Sequence, residues 1–318
     1  MHLVEHRIDA YGPKVSNGQR SPEAIGNVLK WTEQLLQMTV SMAFRFTSRA
    51  RGRRPVWLMA ASAVRFADIT NGNGFTCLHF EAPTLGEAAE ELYRQQELFK
   101  TRPDENDTCF DLLGDVVNDI KKQERDSYRF DARLLERVGR FTDVEKRWGV
   151  ESLALHGNRF PEKVPARIDK RLSELAGKLQ LQTPAPIRAR IAGKLDMIRA
   201  SDGSFSMILE SGDVVNGTLV PGKTDVLKEY WPESVVVEGN AVFRASGSLL
   251  HIEAEAMGPA GEADRFFSEI PKPVPTGFDT RQLRQRQTPS TGLGAVFGKW
   301  PGDESEEELL AALKDNHS

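Results

Sequence analysis

Apolar positions along the first half of the chain switch between a helical period near 3.6 and a strand period of 2, the mark of interleaved helices and strands. Ser21-Pro22-Glu23 supplies a capping hydroxyl, a proline at the first helical position and an acid in the first turn, so a helix starts there. Ile25, Val28, Leu29, Leu35, Leu36, Met38 and Met42 continue it as a stripe to about Arg45. Residues 57–70 and 75–81 read as strands joined by Asn71-Gly72-Asn73-Gly74, a turn whose residues accept positive φ. Pro83-Thr84 starts a helix to about Phe99, and residues 107–126, 131–147 and 161–180 carry helical periods of their own. Residues 150–156 form a short strand, whereas residues 1–21 show no sustained period and read as irregular. Residues 1–182 are therefore expected to form one α+β domain.

Pro184-Ala185-Pro186 marks a change of pattern. Residues 187–199, 205–210 and 214–220 alternate as strands, with turns at Asp202-Gly203 and Ser211-Gly212-Asp213. A helix over 224–230 and two more strands, 235–244 and 249–256, complete the order β-β-β-α-β-β within residues 184–258. That is the order of an OB-type Greek-key barrel, whose closure removes exposed strand edges. Residues 259–290 hold Pro271, Pro273, Pro275 and Pro289 with Gln282, Gln285 and Gln287, and read as a partly extended linker. Residues 291–318 form an apolar, then acidic tail. The expected fold class is thus α+β: an N-terminal mixed α/β domain, an OB-like five-stranded β-barrel, and a partly disordered tail ending in a short helix.

Composition narrows the possibilities. The 318 residues are 39% hydrophobic and 28% charged, the proportions of an ordinary soluble protein. Lys+Arg 42 against Asp+Glu 46 leaves a net charge of −4, which excludes a generally basic, histone-like nucleic-acid binder. Residues 188–258 and 259–318 are each acidic, so basic surface belongs mostly to the first 187 residues. The longest apolar stretch, near residues 57–64, falls well short of the ~20 residues of a membrane span. The first ten residues lack the apolar run of a secretory signal, and two cysteines, Cys77 and Cys109, make no disulfide framework. A cytoplasmic protein without membrane contact is expected.

Candidate chemistry is sparse. Gly217-Thr-Leu-Val-Pro-Gly222-Lys223-Thr224 fits the phosphate-cradling pattern G-x-x-x-x-G-K-[ST]. Its context is wrong for a nucleotide enzyme: Gly217 falls inside a strand, and Pro221 removes an amide that phosphate would need. Arg45, Arg49, Arg51, Arg53 and Arg54, interleaved with Phe44 and Phe46, form a cationic cluster able to grip phosphates, or else a solvated turn over two core aromatics. The barrel offers Phe205 and Phe243 with Arg188, Arg190, Lys194, Arg199 and Arg244 for single-stranded nucleic acid, although small barrels usually fill their interior with such rings. The six histidines show no metal-ligand spacing, Cys77 and His79 merely share a strand face, and no catalytic pair stands out. No enzyme, cofactor or metal site is expected.

The tail differs. Leu293, Val296, Phe297 and Trp300 lie on a Gly-rich segment ahead of Ser305-Glu-Glu-Glu308, a capping box that opens a short helix striped by Leu309, Leu310 and Leu313. A helix this short is marginal alone, so its apolar groups bury either on the parent chain or on another protein. The run GLGAVFGKWPGDESEEELLAAL resembles the C-terminal motif of bacterial antitoxins paired with PIN-domain toxin ribonucleases. The remainder resembles larger uncharacterised bacterial proteins with a barrel of the form GKLDMIR…VPG…VVVEG…LLHIEAE. The tail resemblance implies that Phe297, Trp300, Pro301, Gly302, Asp303 and Glu304, ahead of the leucine-striped helix, bind a PIN-type toxin and block its acidic, magnesium-dependent site; Lys299 joins them by charge complementarity to that site alone. Binding of nucleic acid by the barrel and the arginine cluster is the alternative, and a P-loop nucleotide enzyme the third.

Overall fold

The computed structural model describes residues 3–15, 21–49, 54–93, 102–157, 159–161, 163–199, 203–219 and 229–274. They belong to a compact unit, Met1–Val274; the rest of the chain, Pro275–Ser318, is a second unit outside the described residues.

The N-terminal half is built on strands β1 (Leu3–Tyr11), β2 (Arg65–Asn71), β3 (Thr76–Pro83), β4 (Ser152–His156) and β5 (Ala166–Asp169), in the antiparallel order β2-β3-β1-β4-β5. Helix α1 (Pro22–Arg45) lies between β1 and β2 in sequence, and α5 (Cys109–Lys122), α6 (Ala132–Gly139) and α7 (Phe141–Trp148) between β3 and β4. The first four strands thus follow the order of a split βαβ sheet, which β5 extends. Short helices α2 (Val56–Ala61), α3 (Leu85–Ala88) and α4 (Glu90–Tyr93), and then α8 (Lys170–Gln182), complete the half. Ile8, Ala10, Leu78, Phe80, Leu153 and Leu155 point to one side of the sheet and join the core shared with the helices. Arg7, Asp9, Cys77, His79 and His156 occupy the other side, where Asp9 takes Arg7 Nε at 3.0 Å and His156 Nε2 at 2.8 Å.

Several elements depart from the sequence reading. The irregular N-terminus is the central strand β1; buried His6 and Asp9 mask its alternation. The strand expected from residue 57 begins as a helix, because Trp57, Leu58 and Ala61 are buried at helical spacing in an apolar run whose period is ambiguous. The helix expected over 84–99 is the two single turns α3 and α4 as far as it is described. The helix expected over 131–147 is two, broken at Arg140. The one expected over 161–180 begins with β5, and Asp169 caps α8 by accepting from Leu172 N at 2.9 Å.

The second half is a closed five-stranded barrel of β6 (Ile187–Arg199), β7 (Ser204–Ile208), β8 (Val214–Leu219), β9 (Ser234–Phe243) and β10 (Leu249–Pro259). Its circuit is β6-β7-β8-β10-β9, with β8 and β10 parallel and the other pairs antiparallel, an OB-like order. The helix expected over 224–230 lies mostly outside the described residues. Where a linker is expected from residue 259, a 3₁₀ helix at Glu262–Phe267 packs back on the barrel through Arg190 and Asp264 at 2.8 Å. Ala245 and Leu250 of the barrel belong to the core of the N-terminal half.

Candidate nucleic-acid interface

The arginine cluster of the sequence is split by the end of α1. Ser21 opens this helix by accepting from Ala24 N, and Phe46 closes it in the left-handed region at φ 57, its N–H donating to Met42 O at 2.9 Å. That cap turns the chain sharply. Arg45 is carried inward, 5% exposed, against the barrel near His251, and Phe44 packs edge-on to Trp57 in the core. Neither residue is available to a ligand. Thr47 next reaches the barrel, its Oγ1 donating to Glu253 Oε1 at 3.3 Å. Ser48 donates its N–H and its hydroxyl to the two carboxylate oxygens of Asp131, both at 2.8 Å. Asp131 also caps α6, accepting from Leu134 N at 2.8 Å. One carboxylate thus fastens the segment after α1 to the start of α6.

The result is a basin. Arg49 and Arg54 come from the segment after α1; Arg133, Arg137 and Arg140 come from one face of α6 and its C-cap, at i, i+4 and i+7. Gln34, Gln37 and Ser41 of α1 form the facing wall, and the cavity between them is about 570 Å³. Arg54 Nη1 donates to Gln37 Oε1 at 2.6 Å, and Arg137 donates to Gln34 Oε1. Among the described residues of this lining, Glu136, paired with Arg140, is the one acid beside five arginines. Burial and then the charge of Arg140 push the Arg137 pKa down, although a guanidinium stays protonated. Among the described residues of the lining, arginines thus outnumber acids, a surplus that suits an anion. Arg51 and Arg53 lie outside the described residues. Arg133, Arg137 and Arg140 escaped the sequence reading, although their helical spacing within an expected helix was the available signal.

The barrel is differently committed. Phe205 and Phe243 are buried in its core, so neither is a stacking platform. Arg188 pairs with Glu255, Arg190 with Asp264, and Arg244 donates to Ser248 Oγ. In barrels of this order the second and third strands and the loop between the fourth and fifth form the usual ligand face. Here that loop is held by the helical half: Ser246 N donates to Arg125 O at 3.0 Å and Ser248 Oγ to Asp126 Oδ1 at 2.9 Å. Ile270, Pro271 and Pro273 lie along β8 and the same loop.

Gly217 is an interior residue of β8, facing Phe205 on β7 and Ile252 on β10. A Cβ there would overlap the Phe205 ring, so packing accounts for the glycine. Gly222, Lys223 and Thr224 lie outside the described residues, as do all the tail residues from Leu293 to Leu313. Cys77 and His79 do share a face of β3; His79 Nε2 is 2.7 Å from Thr70 Oγ1, and burial raises the Cys77 thiol pKa, so it is no activated nucleophile. Among the described residues no helix is long and apolar enough to cross a membrane. No family model, curated protein or solved structure matches this chain.

Proposed function

We propose that this chain is a non-enzymatic regulatory protein that binds nucleic acid by its phosphate backbone through the arginine basin. The gathering of Arg49, Arg54, Arg133, Arg137 and Arg140 around one cavity carries the reading. Guanidinium groups match phosphate oxygens in geometry as well as charge. The described residues of the lining include no aromatic ring, so contact is with phosphates rather than stacked bases and is tolerant of sequence. Fluorescence anisotropy with labelled single-stranded and duplex DNA and RNA at two salt concentrations tests it. The expected result is a counterion slope that shrinks when Arg133, Arg137 and Arg140 are replaced together by alanine. Salt-independent binding, or an unchanged slope in the variant, refutes the reading.

A second reading rests on the motif Phe297-Gly-Lys-Trp300-Pro-Gly-Asp-Glu304 and the capping box after it. In this reading the tail captures and inhibits a PIN-type ribonuclease, with Phe297 and Trp300 as aromatic anchors. Mixing the chain with a PIN-type ribonuclease encoded beside its gene tests it. Complex formation that Trp300→Ala weakens by about 2 kcal/mol or more supports it. Absence of a complex removes it.

A further inference from the structure

A second cavity, of about 480 Å³, lies against α1 on residues the basin does not use. Thr39 and Ala43 of α1 and Leu112 and Val116 of α5 form its floor, largely apolar. Its rim alternates in charge: Arg102, Arg129 and Arg159 against Asp104, Asp107 and Asp115.

The rim is held by groups of distant origin. Thr108 and Asp111 form a capping box that starts α5, with Asp107 just before the cap and Asp115 within the helix. Backbone bonds from Leu85 N to Asp107 O and from Gly86 N to Glu105 O, each 2.8 Å, anchor the loop before α5. Arg159, following β4, spans both acids, with Nη1 on Asp107 at 2.9 Å and Nη2 on Asp115 at 3.0 Å. Arg129 donates to Asp119 at 3.0 Å while its guanidinium stands 4.9 Å from the ring centre of Tyr128, itself half-exposed on the rim. Even with Arg159 between them, Asp107 and Asp115 have raised pKa values, burial being the largest cause. These carboxylates are under-solvated and gain from a further cation.

An apolar floor under a rim whose described residues include three guanidinium and three carboxylate groups selects among ligands. A simple anion meets three carboxylates, a simple cation meets three guanidiniums, and an uncharged molecule leaves the rim desolvated. We propose that this cavity binds a small zwitterion, a free α-amino acid, with its carboxylate toward the arginines, its ammonium toward the aspartates and its side chain over Ala43, Leu112 and Val116. The site is independent of the nucleic-acid reading.

Isothermal titration of the full chain with free amino acids of each side-chain class, and with their N-acetyl and C-amide derivatives, tests the proposal. At least one free amino acid is expected to bind at millimolar concentration or below. Removing either charge is expected to weaken it by about tenfold or more, the scale of one charge-assisted hydrogen bond. Ala43→Trp, which fills the floor, is expected to abolish binding. If that variant does not fold, Tyr128→Ala on the exposed rim replaces it, with a reduced affinity expected. No binding by any free amino acid, equal binding of the blocked derivatives, or full affinity in the folded variant overturns the proposal and leaves the rim as an ion network that only braces the loops.

Discussion

The ring of Phe205 on β7 occupies the space that a side chain at Gly217 on β8 would need. The barrel interior is closed over this contact, with Phe243, Val215 and Ile252 in the same core cluster. Gly217→Ala forces the ring or the strand to move, and is expected to cost about 1–3 kcal/mol. A fall in the urea midpoint measures it, and Phe205→Leu on the same chain is expected to recover part of the loss. An unchanged midpoint contradicts the packing account of this glycine.

The two halves of the arginine cluster separate experimentally. Arg133→Ala and Arg137→Ala are each expected to lower the salt slope of duplex binding by about 0.9, the loss of one phosphate contact. Arg137→Ala is not expected to lower stability much, because it relieves the repulsion with Arg140. Arg45→Ala is expected to do the reverse: it leaves the slope intact and costs about 1–3 kcal/mol, the scale of losing a buried charged partner. Anisotropy and urea titration on the three variants read both quantities.

His251 is wholly buried where β10 meets the end of α1, and burial followed by the nearby Arg45 charge lowers its pKa to about 3. The folded chain therefore holds this ring neutral while the unfolded chain protonates it below about pH 6.5. Its contribution to stability is complete above that value and is lost as the pH falls toward 3, by at most about 1.4 kcal/mol per unit. His6, also lowered chiefly by burial, titrates in the same sense. Urea unfolding between pH 7 and pH 4 is expected to show a slope that His251→Gln reduces; an equal slope in the variant refutes the assignment.

Asp131 holds Ser48 and caps α6 at once. Asp131→Ala is expected to cost about 2–3 kcal/mol, an N-cap together with charge-assisted bonds to a buried segment. It is also expected to weaken phosphate binding, because Arg49 loses its fixed place beside α6. Asp131→Asn keeps the cap and is expected to recover most of the stability. Thermal unfolding and anisotropy on both variants check this.

The barrel was legible because its core residues recur at every second position, as Phe205 and Met207 on β7 or Val235 and Val237 on β9, and because turns such as Ser211-Gly212, with Gly212 at φ 86, punctuate the strands. The hairpin at Asn71-Gly72-Asn73-Gly74 was legible for the same reason, with Gly74 at φ 82. By contrast α2 was not, since Val56-Trp57-Leu58-Met59 carries no period by itself. Strand β5 has four residues, too few to outweigh the helical pattern that follows. The basin was half legible. Arg49 and Arg54 stood out as neighbours in sequence, whereas the inward turn of Arg45 depends on a left-handed Phe46, a conformation that no residue type there announces. Arg133, Arg137 and Arg140 are fastened beside that segment by Asp131, a tertiary bond between residues far apart in the chain.

The turn between β9 and β10 is stitched to the loop after α5, and Ala245 and Leu250 beside it fill the interior of the helical half. The barrel is consequently not a bead that can be clipped from its string. A fragment beginning at residue 184 would carry a raw greasy wound and fall out of solution, and the remaining piece would be left with a hole. In a calorimeter, residues 3–274 should melt in a single event.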